Sequence, residues 1–190
     1  TPGNSGAYTR ITVAASAPTL YYYCTQHSGM GGQANTNSTF GSSNFGGNVQ
    51  STVSANTTAG FSIVSYTGDG GATATFGHGL GAIPKMIILK KRNGTTDWVV
   101  YHEAITYANR LKLNTTDASA SSPNWRATPT SSVFNSNSSD IINNSGDTYI
   151  AYCFAEKQGY SKIGSYTGNG NADGTFVYTG FRPAWLMIKN

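Results

Sequence analysis

One pattern occurs twice in this chain. Ser65-Tyr66-Thr67-Gly68-Asp69-Gly70 returns as Ser165-Tyr166-Thr167-Gly168-Asn169-Gly170, and Thr75-Phe76 returns as Thr175-Phe176. Gly81-x-x-Pro84-Lys85-Met86-Ile87-Ile88-Leu89-Lys90 returns as Gly180-x-x-Pro183-Ala184-Trp185-Leu186-Met187-Ile188-Lys189. The offset is 100 residues up to Phe176 and 99 from Gly180 onward. A pattern reused in the same order marks a reused structural unit. Each copy reads as strand, Gly-rich turn, short strand, Gly-x-x-Pro turn and apolar strand. Glycine supplies positive φ in such turns, and proline presets the backbone that follows. Residues 159–190 therefore repeat 60–90. Trp185, inside Ala-Trp-Leu-Met-Ile, is expected in a core.

The remaining candidate strands are short and rich in β-branched and aromatic residues. They run Tyr8 to Val13, Leu20 to Cys24, Trp98 to Tyr101, Leu111 to Leu113 and Tyr149 to Phe154. The last is apolar on both faces, as a central strand is. Glu103 to Arg110 is the one stretch with a short-helix reading. Many short strands punctuated by Gly, Asn and Ser indicate an all-β fold, a β-sandwich or jelly-roll-like module. Leucine is scarce and no stretch repeats apolar residues at helical spacing, which excludes a helical bundle. Residues 31–59 show almost no apolar periodicity and read as a Gly/Ser/Asn/Thr-rich linker. That divides the chain into a small β segment (1–30), the linker (31–59) and the repeat-bearing module (60–190). The chain lacks an initial Met and ends in mid-strand pattern, so it is expected to be an excerpt of a longer polypeptide.

Composition narrows the function classes. Ser, Thr, Asn and Gly number 21, 24, 17 and 23, while only 11% of the 190 residues are charged. Such a surface is polar through hydroxyls and amides rather than charge. The net charge of +4 is scattered apart from Lys90-Lys91-Arg92, and the aromatics lie in strand-like runs away from it. A nucleic-acid partner would call for a basic stripe with aromatic platforms. No run of apolar residues is long enough for a membrane helix.

Three groups of residues invite a chemical reading. The first is Cys24-Thr25-Gln26-His27-Ser28-Gly29-Met30, which follows Leu20-Tyr21-Tyr22-Tyr23. Thiolate and imidazole in a plane with a weak axial thioether make a blue-copper site. Cys24, His27 and Met30 at C-x2-H-x2-M spacing resemble the amicyanin-type cupredoxins, which implies copper. A cupredoxin takes a second imidazole from an earlier strand. No His precedes His27, and His78 and His102 lie beyond the linker. Either the excerpt excludes that strand or the segment is a relative that holds no copper. Secondly, the eight carboxylates (Asp69, Asp97, Glu103, Asp117, Asp140, Asp147, Glu156 and Asp173) show no local pairing of the kind a glycosidase needs. An enzyme is the minority reading, with a glycan depolymerase as its form. Thirdly, Trp and Tyr on loops stack on sugar faces. Trp125, in Ser-Ser-Pro-Asn-Trp-Arg, and Tyr107 are the candidates for exposed ligand contacts. Gly77-x-Gly79-x-x-Ala82 is no dinucleotide loop, because Pro84 and a strand follow it rather than a helix.

Residues 60–190 also carry Phe61-Ser62-Ile63-Val64-Ser65-Tyr66-Thr67-Gly68, Pro84-Lys85-Met86-Ile87-Ile88, Trp98-Val99-Val100-Tyr101-His102 and Thr148-Tyr149-Ile150-Ala151-Tyr152-Cys153-Phe154-Ala155-Glu156. These stretches resemble a module of virion structural and tail-fibre-like proteins of marine tailed phages, notably those of cyanobacteria. The Tyr-Tyr-Tyr-Cys-x-x-His segment is similar to modules in such proteins. The resemblance implies a structural, adhesive role on the virion surface. Its implied partners are other copies of the chain, other virion proteins and host-cell polysaccharide. No catalytic residue is carried over with it.

Overall fold

The computed structural model describes residues 20–25, 31–34, 41–122 and 124–190. The candidate strand Tyr8 to Val13, His27 and Met30 lie outside them. The chain forms two compact units that divide after Ser42. In the first, β1 (Leu20–Tyr23) pairs antiparallel with β2 (Gly31–Ala34), Tyr21 lying opposite Gln33.

The second unit is all-β and built on antiparallel pairing. Its strands are β3 (Ser42–Asn44), β4 (Ser51–Asn56), β5 (Phe61–Thr67), β6 (Ala74–Gly77), β7 (Met86–Lys91) and β8 (Val99–His102). Then follow β9 (Asn109–Lys112), β10 (Ala120–Ser121), β11 (Val133–Ser136) and β12 (Thr148–Phe154). Eight of them form one sheet in the order β10-β9-β8-β7-β12-β5-β4-β3, and β6 pairs with β11. Two local meanders, β3-β4-β5 and β7 to β10, are thus joined by the late strand β12. One edge of β12 pairs with β5 from Thr148↔Thr67 to Phe154↔Phe61, and the other pairs with β7 from Tyr149↔Lys91 to Phe154↔Met86. Its two apolar faces follow from that central position.

Period-two alternation sets the core. Ser62, Val64 and Tyr66 of β5, Tyr149, Ala151 and Cys153 of β12, and Ile87 and Leu89 of β7 are buried on one face. Phe76 of β6 and Phe134 of β11 join them. The Tyr66 ring lies 3.9 Å from Phe76 and 5.2 Å from Tyr149, centroid to centroid. Its hydroxyl donates to Ile142 O at 2.7 Å, so the buried phenol is satisfied. Cys153 is a free thiol in this core, and burial pushes it up to about 12. The turn between β4 and β5 requires glycine at position 60. Its φ is +69°, and a Cβ there would stand 2.3 Å from Ala155 O.

Three expectations are corrected. Residues 31–59 do not form a featureless linker, because Ser51–Asn56 is a full strand with Val53 in the core. Small residues mask its alternation, and β5 supplies the pairing that local sequence does not reveal. Glu103 to Arg110 is not a helix. A single 3₁₀ turn, Glu103–Ile105, ends at Thr106 (φ 60°), and strand β9 begins at Asn109. Nor do residues 164–190 take up the strands of the first copy: they form no strand, and Trp185 is exposed rather than in a core. Among the described residues, no strand pairs with the stretches of Tyr166 and Phe176 as β12 and β11 pair with those of Tyr66 and Phe76.

Candidate functional site

The core consumes one face of the long sheet. Its other face carries Phe61, Ile63 and Ser65 of β5, Ile150, Tyr152 and Phe154 of β12, and Met86, Ile88 and Lys90 of β7. Most of these are half-buried, as the same alternation dictates. Register places them in rows. Tyr152 stands between Ile63 and Ile88, Phe154 between Phe61 and Met86, and Ile150 between Ser65 and Lys90. The Phe61 ring is nearly parallel to Tyr152, at 8° and 6.5 Å, and tilted against Phe154 at 5.0 Å.

The aromatic rows give way to hydroxyls toward the β4 end. A groove of about 410 Å³ is lined there by Gln50, Thr52, Ser65, Thr67, Thr148 and Arg92, among others. Thr52 pairs with Ser65 and Thr67 with Thr148, so four hydroxyls come from three adjacent strands. Each hydroxyl both donates and accepts. Arg92 is placed by its own backbone, whose N–H donates to Thr148 O at 2.7 Å. Beside it, Lys91 Nζ meets Asp147 Oδ2 at 2.5 Å, and Asn144 and Asn93 donate to the same carboxylate at 2.6 and 3.0 Å. The Lys91 ammonium and the Asn144 amide hold the Asp147 carboxyl below its ordinary range. Asp147 is thus occupied. Among the described residues, no carboxylate lies within ion-pair distance of Arg92. The groove therefore presents hydroxyls, an amide and one uncompensated guanidinium. That chemistry suits a polyhydroxylated ligand carrying negative charge.

The residues singled out from sequence are distributed differently. Trp125 sits in a loop, but its indole is buried, edge-on to Tyr101 at 5.9 Å and to Phe134 at 6.5 Å. The expectation of an exposed contact is corrected there: the large ring closes the end of the core, which a loop can do without being a strand. Trp125 Nε1, Asn124 Nδ2 and Arg110 Nε have no hydrogen-bond partner. Tyr107 is exposed, on the turn after the 3₁₀ helix, and does not line the groove. Cys24 is half-buried just beyond β1. Its companions His27 and Met30 lie outside the described residues. Among the described residues, no group of three or more His, Cys, Asp and Glu gathers as metal ligands do. His78 and His102 serve turns instead. His78 Nδ1 accepts from Leu80 N–H and its Nε2 donates to Thr130 O, while His102 Nδ1 accepts from Ala104 N–H.

Two carboxylate pairs do converge, each across an ammonium. Lys85 Nζ lies 2.9 Å from Glu103 and 3.0 Å from Glu156, and Lys112 Nζ lies 3.1 Å from Asp97 and 3.3 Å from Asp117. Burial alone would push the Glu156 carboxyl up, but the Ile163 N–H and the Lys85 and Lys162 ammonium groups hold it below its ordinary value. None of these carboxylates lines the groove. The groove residues Gln50 and Thr52 fall in the stretch read as linker. The signal that could have found them is the faint alternation of Ser51, Val53 and Ala55 against Thr52 and Ser54.

No helix among the described residues is long and apolar enough to cross a membrane. No curated protein and no solved structure matches the chain. A family model described as a domain of unknown function, DUF7483, matches residues 34–190. That match spans β3 to β12, the groove and the second copy of the repeat, and the chain belongs to the DUF7483 family.

Proposed function

We propose that this chain is a structural and adhesive component of a phage virion, of tail-fibre kind, whose outer sheet face binds host-surface polysaccharide. The long sheet packed on the β6–β11 pair is read as a β-sandwich-like scaffold. The resemblance of Phe61 to Gly68 and Thr148 to Glu156 to virion modules supports the virion half of this reading. One observation carries the binding half. A groove of strand-borne hydroxyls with an uncompensated Arg92 shares its sheet face with the half-buried rings of Tyr152, Phe61 and Phe154. Hydroxyls and Gln50 bond sugar hydroxyls, the ring of Tyr152 offers a face for a sugar ring, and Arg92 favours an acidic glycan. Strand-borne side chains hold their spacing better than loop-borne ones. On the virion, neighbouring copies or other virion proteins would flank the module. No reaction is assigned to it.

Retention of the folded protein on a glycan array and on whole cells tests the reading. Binding to an acidic polysaccharide is expected, weakening as salt rises. Arg92→Ala and Tyr152→Ala should each weaken it about tenfold, the equivalent of ~1.4 kcal/mol. A folded protein retained by no glycan and no cell would remove the adhesive role.

A further inference from the structure

The groove has a direction. Thr148 lies opposite Thr67 on one side of β12, and on the other side the Arg92 N–H donates to the Thr148 carbonyl. Ser51 lies opposite Tyr66, so Gln50, just before it, stands beside Thr67. Gln50, Thr67, Thr148 and Arg92 therefore form one rung across the starts or ends of β4, β5, β12 and β7, and all four line the groove. Neighbouring strands stand about 4.8 Å apart, so the rung spans about 14 Å. Each step is close to the length of one pyranose residue in an extended glycan. Thr52 and Ser65 widen the polar strip on the β4 side.

Charge is confined to one end of the rung. Among the described residues, Arg92 pairs with no carboxylate. Nor does Lys90, whose position is one rung along β7 and whose ammonium donates to the Thr96 carbonyl at 2.8 Å. The other three positions are two hydroxyls and an amide, which donate and accept but carry no charge. A carboxylate over Arg92 gains a charge-assisted bond. A carboxylate over Thr148, Thr67 or Gln50 meets no cation, whereas a neutral sugar there meets donors and acceptors that match its own hydroxyls.

Resting on the glycan-binding reading, we infer that the groove takes an extended stretch of four sugar residues lying across the strands. One acidic residue sits over Arg92, and neutral residues sit over Thr148, Thr67 and Gln50. The ligand class is thus a heteropolysaccharide whose acidic residues are set apart by neutral ones, not a uniformly charged polymer. Tyr152 stands two rungs away along β12, so a neighbouring part of the polymer, not this stretch, reaches its ring.

The test is a titration of the 15N-labelled chain, followed by amide chemical shifts. The probes are aldouronic acids, in which one glucuronate is linked to one, two, three or four xylose residues. Oligogalacturonates and neutral xylo-oligosaccharides of the same lengths are compared with them. Affinity for the aldouronic acids is expected to rise about threefold with each xylose up to the third and then to level off, one hydrogen-bonding position being filled at each step. The shortest member should shift the amides of Arg92 and Thr148, and longer ones those of Thr67 and then Gln50. Thr67→Val should remove the gain from the second xylose and Gln50→Ala the gain from the third, each leaving the shortest member's affinity unchanged. Arg92→Ala should abolish the advantage over the neutral series. The amide spectrum of each variant verifies its fold. Oligogalacturonates that bind as well or better, affinity that does not depend on length, or shifts that do not follow the rung overturn the inference, and retention on a glycan array would then still support adhesion. A folded chain retained by no array glycan and no cell removes both.

Discussion

Residues 61–91 and residues 161–190 carry nearly the same pattern and reach opposite states. The first form three paired strands in a core, and the second form turns joined by exposed, unpaired segments. What survives in both is local. Asp69 Oδ1 accepts from Gly71 N–H at 2.8 Å, and Asn169 Oδ1 accepts from Asn171 N–H at 3.0 Å. Such turns close within a few residues and rest on side-chain oxygens and glycine φ values. A strand leaves half of its backbone groups to be satisfied by a neighbour. Where the neighbour comes from distant sequence, propensity alone does not form the strand. The pair therefore separates, within one chain, what local sequence dictates from what topology adds.

The largest expected contrast lies at the phenylalanines. Phe76 is fully buried, against Tyr66 and against Phe134 at 5.2 Å. Phe76→Ala should destabilise the module by about 3–5 kcal/mol, the transfer and cavity cost of a buried ring. Phe176→Ala should change stability by no more than ~0.5 kcal/mol, as exposed positions do. Urea unfolding followed by circular dichroism measures both. Equal costs would mean that Phe176 also sits in a core, and the two states would not differ as described.

A second contrast depends on pH. His78 in the first copy stands where the second has Tyr178, and the two differ in burial as well as in chemistry. Burial lowers the pKa of His78 from its ordinary 6.5, although the Thr130 carbonyl opposes the change. Its Nδ1 is already an acceptor for Leu80 N–H, so the folded state holds the neutral ring. With the folded pKa below the unfolded one, the unfolded chain binds more protons just below pH 6.5. The stability linked to His78 is then complete above 6.5 and is lost as pH falls toward the lowered folded value. The depressed carboxyls Asp97, Asp147 and Glu156 act in the same direction, but only lower, as pH falls below their ordinary values of 3.8 to 4.5. Thermal melts from pH 7.5 to 5 should therefore show a decline that His78→Asn reduces, since Asn Oδ1 can still accept from Leu80; the rest belongs to His102, whose pKa burial also lowers. A flat profile in the parent chain would show that the ring does not titrate against folding.

How much was legible follows the same division between local and distant. The turns at Gly68 to Gly71 and at Gly81 to Pro84 were readable because their chemistry lies within each stretch. β5 and β12 were readable because large apolar residues alternate or run together there. β4 was not, since Ser51, Thr52, Ser54 and Ala55 are small and Val53 is its one large apolar residue in the core. The position of Trp125 escaped for a related reason: Pro and Asn mark its loop, but nothing nearby reveals that the loop folds over Tyr101 and Phe134. The groove was the least legible feature. Thr52, Ser65, Thr148 and Arg92 become neighbours only through the registers of β4, β5 and β12 and the end of β7. No spacing along the chain anticipates that.

The smallest contrast falls on the shared turn. Asp69 Oδ1 accepts from Gly71 N–H and from the Nδ2 of Asn143, a fully buried residue, at 2.9 Å. In return Asn143 Oδ1 accepts from Asp69 N–H at 3.2 Å. Asp69→Asn keeps an oxygen in the same place, and Asn169 already closes the equivalent turn. Its cost should stay within ~0.5 kcal/mol, because only the charge is lost at an exposed site. Asp69→Ala removes the acceptor altogether. Asn143 Nδ2 would then keep only Gly71 O, at 3.0 Å, and Gly71 N–H would lose its partner. About 1–2 kcal/mol should follow, the cost of stranding a buried donor. Urea unfolding of the two variants distinguishes charge from geometry. If Asp69→Asn cost as much as Asp69→Ala, the turn would depend on the carboxylate charge, and the turn at Asn169 could not be the equivalent of the one at Asp69.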